Sequence, residues 1–599
     1  MLHTTMNVDP VPRLAAERWL AAFEAAISQQ DEAKLAALFG AEAHWRDVLA
    51  LSWHVRGVTG TEKIVPLLLS ESDRMRPHQF RLAEGRAEPR QLSRVHVETI
   101  EAIFSFETEV GYGTGVVRLV ADAASSGQHV AWTFMTSLEA LYGFEGPSKP
   151  TVARGFENMR QFGGENWLDR RIKSLTYEDR EPTVLVVGAG HAGLGVAARL
   201  GQMGVDALIV DREERIGDNW RTRYHSLTLH NEVWVNHMPF MPFPENWPTY
   251  LPKDKLANWM EAYVEAMELN VWTRTEFVSA TYDETAERWT VILQRNGQEQ
   301  VLHPHHVILA TGASGIPNMP KLPGLDTFAG KIVHSSKFAD GQEWAGRKAI
   351  VIGTGTSSHD VAQELHASGA HVTMVQRGTT QVVSMEASAE YTFPLYREGL
   401  ATDDADRISL GTPFALYKKG CQIATSLITE MDRELIDQLS GIGFKVDLGF
   451  EETGYLMSYL LRGGGYYFNV GCSDLLINGE VDLIQWADVD RFGPEGLKMA
   501  DGTVLEAELV VLGTGYHSQS ALIGKLLGQD VADKVGEIWG FSDDGEVRNI
   551  WKATGQPGLW LAAGSLAQCR IFSRILALQI KARELGLVPR NSKPGALAG

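Results

Sequence analysis

Cysteine is scarce in this chain. There are three in 599 residues, Cys421, Cys472 and Cys569, and no two form a CxxC pair. This excludes a disulfide framework and a CxxC redox centre, and it suits a reducing cytoplasm. Positive charge is the minority sign: 55 Lys and Arg face 75 Asp and Glu, the net charge is −20, and no run of Lys and Arg occurs. A nucleic-acid partner is therefore not expected. Apolar runs of membrane-spanning length are missing, so no membrane span is expected. The opening MLHTTMNVDPVPRLAAERW lacks the charged stretch and apolar core of a secretory leader. No metal site is expected.

What is present is ordinary globular composition, 44% hydrophobic and 22% charged, in a chain too long for one core. Residues 12 to 40 carry a helical apolar pattern through Leu14, Trp19, Leu20, Phe23, Ile27, Leu35 and Leu38, and 43 to 140 alternate as half-buried strands do. A turn-rich stretch, GFEGPSKP at 143–150, marks a boundary. The helix-then-sheet order resembles the NTF2-like cone, an α+β fold that encloses a pocket. His44 and Asp47 would lie inside it, and they read more simply as polar wall residues than as an acid–base pair.

From Thr183 the pattern changes to strand, glycine turn and helix. VLVVGAGHAGLGVAARL places Gly188, Gly190 and Gly193 in GxGxxG spacing. The first glycine permits the turn, the second lets a pyrophosphate approach the backbone, and the third lets helix and strand pack closely. The helix N-terminus faces the phosphates. Asp211 follows about 20 residues on, where a carboxylate holds ribose hydroxyls. A second unit, AIVIGTGTSSHDVAQEL, has Gly353, Gly355 and Ser358 in GxGxxS. It ends in Arg377 and not in an acid, which favours a 2′-phosphate and hence NADPH. The expected class is an α/β flavoprotein fold with two Rossmann-like dinucleotide-binding domains, one for a resident FAD and one for a nicotinamide nucleotide.

On these motifs the chain resembles the flavin-containing monooxygenases. FAGKIVHSSKF carries the family fingerprint in Phe328, Gly330, His334 and Phe338, between the two glycine turns. HVILATG and LVVLGTGY are similar to its two hinge segments, and LHNEVWVNHMPFMPFPENWPTY is similar to a segment also found in the plant YUCCA branch. The N-terminal extension resembles that of the bacterial type II branch, which implies Baeyer–Villiger chemistry on ketones or oxygenation of sulfur or nitrogen through a peroxide at flavin C4a. In that branch NADH is accepted beside NADPH.

The resemblance implies a role for Asn231 beside the flavin and for His334 in coupling the dinucleotide domains, both as catalytic residues. It implies Trp220, Arg221 and Gln568 as FAD contacts, with Arg570 on the same last helix. His359 and Asp360 read as packing or solvated residues. The expected domains are 1–150 (NTF2-like), a linker at 151–182, an FAD domain at 183–335 and 515–599, and an NAD(P) domain at 336–514 with a largely helical insertion at 380–470. The partners are a small organic substrate and molecular oxygen, and a homodimer is expected. Alternatives are a YUCCA-like decarboxylation of a 2-oxo acid and a flavin-based redox sensor. A disulfide oxidoreductase is opposed by the missing CxxC.

Overall fold

The computed structural model describes residues 10–122, 127–145, 162–312 and 315–592. Most of the turn-rich stretch at 143–150 and the start of the expected linker lie outside the described residues. Among the described residues no helix is long and apolar enough to cross a membrane.

The N-terminal part packs helices Pro10–Ser28, Glu32–Ala36 and Thr61–Met75 against a seven-stranded sheet. Strand Phe39–Val48 pairs in parallel with His129–Leu141, and the remaining pairs are antiparallel. Bulges between Phe39 and His44 and between Arg118 and Leu119 bend the sheet around its contents. Those contents are aromatic. Trp19 stacks on Phe23 at 5.2 Å, Phe23 meets Phe134 at 4.8 Å, and Phe104 lies parallel to Phe134 at 5.4 Å. Two glycines of strand Gly111–Ala121 make room for them: a Cβ on Gly113 would sit 2.3 Å from the Phe106 ring, and one on Gly115 would sit 2.1 Å from that of Phe104.

The second region is a five-stranded parallel sheet in the order Asn270–Trp272, Ala207–Val210, Val184–Val187, His306–Leu309, Leu559–Leu561. Val184–Val187 is buried at all four positions, as a strand covered on both faces must be. Helices His191–Gln202 and Leu566–Glu584 pack together on this sheet.

The third region repeats the plan with Lys331–His334, Leu509–Leu512, Lys348–Ile352, His371–Gln376 and Asp482–Gln485, all parallel. Here one expected boundary shifts. Lys331–His334, which a division at 335 leaves with the first sheet, pairs residue for residue with Leu509–Leu512 and so belongs to the second. Between His371–Gln376 and Asp482–Gln485 lie helices Met385–Tyr391, Thr402–Leu410, Phe414–Met431, Arg433–Gly441 and Gly454–Arg462, together with a parallel strand pair, Gln381–Ser384 and Tyr466–Asn469.

Charged pairs lock the N-terminal part onto the rest. Arg46 makes a bidentate bridge to Glu546 at 2.6 and 2.7 Å, with both side chains largely buried. The fully buried Arg118 donates to Glu101 and to the carbonyls of Gly411 and Ile408. Glu139 accepts from Arg407 of the insertion and Arg574 of the last helix. Burial alone would raise the Glu139 carboxyl, but Arg574 and Arg407 outweigh it and hold it at about 2.

Candidate functional site

The first glycine turn is built as its spacing requires. Gly188 has φ of 110°, in the left-handed region, and a Cβ there would lie 2.5 Å from the Ala310 carbonyl. A Cβ on Gly193 would lie 2.0 Å from the Gly188 carbonyl. Gly190 starts helix His191–Gln202 without a side-chain cap, which leaves the first N–H groups of the helix free for an anion. At the end of the next strand the Asp211 carboxylate accepts from Ala189 N–H at 2.6 Å and Glu213 N–H at 2.8 Å. These bonds aim it at the turn and leave lone pairs over.

Around this turn three buried polar atoms have no partner among the described residues: His191 Nδ1, Trp220 Nε1 and Thr311 Oγ1. His191 Nε2 donates to the Gly564 carbonyl at 2.9 Å, and burial keeps the ring neutral, so Nδ1 is an open acceptor. The Trp220 indole, 6.2 Å from that ring, is an open donor. Leaving such groups buried and unpaired is costly, so the spot is shaped for a polar ligand. Arg221 differs from the expectation. Its guanidinium is turned to the Ile216 carbonyl, Asp218, Asn258 and Glu261, and it ties the 217–221 turn to helix Lys253–Ala266.

In the second turn Gly353 has φ of 113°, and a Cβ there would lie 2.5 Å from the Gly513 carbonyl. Ser358 fits at the third position because Gly513 has no side chain; a Cβ on Gly513 would fall 1.9 Å from Ser358 Oγ. Gly355 starts helix Thr356–Ala367. Arg377, just past strand His371–Gln376, is exposed and has no hydrogen bond or ion pair among the described residues. Its fork is free for a phosphate.

Between the turns, His334 Nε2 donates to the Gly515 carbonyl at 3.0 Å, and Nδ1 accepts from Ser336 N–H and Oγ–H. Both nitrogens are engaged and burial lowers the pKa, so the ring has no lone pair or proton to offer a substrate. His334 is a positioning residue that fixes the returning segment at Gly515, with its ring edge-on to Tyr516 at 5.2 Å. Asn231 lies in strand Thr228–Glu232; its carbonyl accepts from Asn236 and its side-chain amide has no partner among the described residues.

Gln568 is the third residue of the last helix, and its Oε1 accepts from Ser565 N–H at 3.0 Å and Tyr459 O–H at 3.3 Å. Arg570 forms a bidentate bridge to Asp406 and donates to the Val235 carbonyl, a structural tie. His359 stacks on Tyr467 at 3.8 Å, and burial lowers it to about 4. Asp360 accepts from the Tyr224 hydroxyl across the two regions; burial, partly offset by that bond, raises it to about 6.

His44 and Asp47 lie apart from all of this. Asp47 accepts from Leu51 N–H, from the N–H and hydroxyl of Ser52 and from Thr136, and His44 pairs with Thr59. Both are tied into the strand Phe39–Val48 and its neighbours by these bonds. The sequence reading missed His230 and an aromatic group beside it: Tyr455, Tyr459 and Tyr466 with Phe468. His230 stands next to Asn231 in LTLHNEVW, and GGGYYFN held the other signal. Tyr459 packs against Trp539, which lines a cleft of about 500 Å³ together with Phe414, Met457, Leu461 and Phe541.

No cluster of His, Cys, Asp or Glu suited to a metal occurs among the described residues, and the three cysteines are buried and unpaired. A family model described as pyridine nucleotide-disulphide oxidoreductase matches residues 185–402, which hold both glycine turns. With no cysteine pair, the match reflects the dinucleotide-binding fold and not dithiol chemistry. The chain is similar to the indole-3-pyruvate monooxygenase YUCCA1 of Oryza sativa subsp. japonica, 30% identical over 59% of this chain and 80% of the relative. It is also similar to the probable indole-3-pyruvate monooxygenase YUCCA10 of Arabidopsis thaliana, 28% identical over 56% and 82%. Among solved structures, cyclohexanone monooxygenase from Rhodococcus sp. Phi1 bound to NADP+ has the same fold over 67% of this chain and 85% of its own, with a TM-score of 0.50 and 19% identity.

Proposed function

This chain belongs to the flavin-containing monooxygenases, and we propose that it inserts one oxygen atom into a small organic substrate held between the two glycine turns, by Baeyer–Villiger oxidation of a ketone or by oxygenation of sulfur or nitrogen. It is an FAD-dependent enzyme that draws on NADPH. The residues fit that pair. Gly188, Gly190, Gly193, Asp211, Trp220 and His191 would hold FAD, and the open polar atoms at His191, Trp220 and Thr311 are what a buried dinucleotide would satisfy. Gly353, Gly355, Ser358 and the free Arg377 would hold NADPH. When bound, FAD supplies the redox chemistry and the activation of oxygen.

The chain's own residues orient and exclude. His334 would keep the second region in register with the return at Gly515. Asn231 and Gln568 would present amide groups at the flavin ring, and the N-terminal domain, read as an NTF2-like cone with a filled core, would serve as a fixed cap. The observation that carries this reading is the pair of glycine turns with unsatisfied polar groups and an aromatic wall between them. A second reading, oxidative decarboxylation of a 2-oxo acid, is favoured by the likeness to the YUCCA proteins.

Rapid mixing of the anaerobically NADPH-reduced holoenzyme with oxygen tests the reading. A transient absorbance band that persists before oxidised flavin returns, and that is consumed faster when substrate is added, is expected. Immediate return of oxidised flavin with stoichiometric hydrogen peroxide, whatever the substrate, would overturn it.

A further inference from the structure

His230 and Tyr466 are two polar side chains that meet at one aromatic ring and have no hydrogen-bond partner among the described residues. The His230 ring stacks on Phe468 at 4.4 Å, and Tyr466 meets the same ring at 5.3 Å. Tyr466 and Phe468 share one face of strand Tyr466–Asn469, two residues apart. That strand sits at the second turn: the Tyr466 carbonyl accepts from Thr356 Oγ1 at 3.0 Å, at the start of the helix that Gly355 opens. His230 comes from the other side, on strand Thr228–Glu232 beside Asn231. The two strands thus bring both polar groups to the Phe468 ring.

Neither the His230 imidazole nor the Tyr466 hydroxyl has a hydrogen-bond partner among the described residues, whereas Tyr455 bonds Thr392 and Tyr459 bonds Gln568. Both groups are strongly desolvated: burial pushes His230 down to about 4 and Tyr466 up to about 12. Each nevertheless keeps some open surface at which a ligand could be met. A neutral imidazole and a phenol are each one N–H or O–H donor.

The wall is Tyr417, Cys421, Tyr455, Tyr459 and Phe468, and among the described residues no Lys or Arg makes a hydrogen bond or ion pair with His230 or Tyr466. Glu232, two residues along the His230 strand, is already paired with Arg397. A carboxylate placed here would be buried without a counter-ion, at a cost no neutral donor recovers.

Resting on the monooxygenase reading, we propose that His230 and Tyr466 are substrate-positioning residues that donate two hydrogen bonds to one uncharged polar handle, a carbonyl oxygen with its two lone pairs, on a flat apolar substrate. The aromatic wall holds the body, and the two donors fix the carbonyl carbon relative to the flavin ring. The same wall selects against an anionic 2-oxo acid.

The test measures equilibrium binding to the oxidised holoenzyme of three probes of similar size: 4-phenyl-2-butanone, phenylpyruvate and butylbenzene. In the native protein the ketone should bind at least tenfold more tightly than butylbenzene, and phenylpyruvate should bind more weakly than the ketone by about 100-fold or more. Tyr466→Phe should weaken the ketone about 5- to 10-fold, the worth of one neutral hydrogen bond, and leave butylbenzene unchanged. His230→Leu should do the same, and His230→Gln should restore most of the loss. Phenylpyruvate binding as tightly as the ketone overturns the proposal. So does a ketone no tighter than butylbenzene, or a Tyr466→Phe effect confined to the KM for NADPH. The readout is binding, so a loss of oxygen transfer with these affinities intact would count against the monooxygenase reading and not against the pair.

Discussion

The interior of the N-terminal domain and the space between the two glycine turns are built from similar residues, aromatic rings with a few buried polar groups. In the first, Asp47 has donors on both oxygens, His44 pairs with Thr59, and the Trp45 indole donates to Thr136. In the second, His191, Trp220 and Thr311 each have a buried polar atom without a partner, and His230 and Tyr466 have no hydrogen bond among the described residues. Among the described residues the first set leaves out Ser137 Oγ and Arg56 Nε, scattered on separate strands; open groups gathered at the ends of strands, beside two helix N-termini, are instead a place for ligands.

The difference can be broken from either side. The largest effect should come from Gly188→Val, because the left-handed backbone and the Ala310 carbonyl at 2.5 Å both oppose a side chain. The purified protein should carry essentially no FAD, read from the ratio of flavin to protein absorbance, while far-ultraviolet circular dichroism stays near native. On the structural side, Glu139→Gln should cost about 3 kcal/mol at pH 7, since the carboxyl moves from 4.5 to about 2 on folding. A carboxyl held low stabilises fully above 4.5, and the contribution is lost as pH falls towards 2. The Tm gap between native and variant proteins should therefore close over that window, with FAD content per folded molecule unchanged.

Arg377→Gln should follow at about 2 kcal/mol, seen as a roughly 30-fold rise in KM for NADPH with NADH little affected. Equal loss for both nucleotides would remove the 2′-phosphate from Arg377. The smallest effect should be that of Ser358→Gly, within about 0.5 kcal/mol in stability and twofold in KM, because the serine already fits the space beside Gly513.

Much of this plan was legible in the sequence because glycine geometry is local. Gly188 and Gly353 take backbone angles that few other residues tolerate, so the two turns, their strands and their helices could be read from spacing. What depended on distant partners could not. Lys331–His334 joins the second sheet through Leu509–Leu512, far along the chain. The ties of Arg221 come from helix Lys253–Ala266 and from its own turn, and those of Arg570 come from Asp406 and Val235. His230 was overlooked beside Asn231 because in a strand neighbouring side chains face opposite ways, and register alone decides which one meets Phe468. The aromatic wall is assembled from separate helices and a strand between 417 and 468, with no motif of its own.

The central claim is that the space between the turns passes one atom of oxygen to a substrate. It is tested most directly by supplying the holoenzyme with NADPH, 4-phenyl-2-butanone and ¹⁸O₂ and weighing the product. One ¹⁸O atom per product molecule, formed in step with NADPH consumed, is the predicted result. NADPH consumption matched by labelled hydrogen peroxide, with the ketone and every sulfide or amine supplied in its place recovered unchanged, would contradict it.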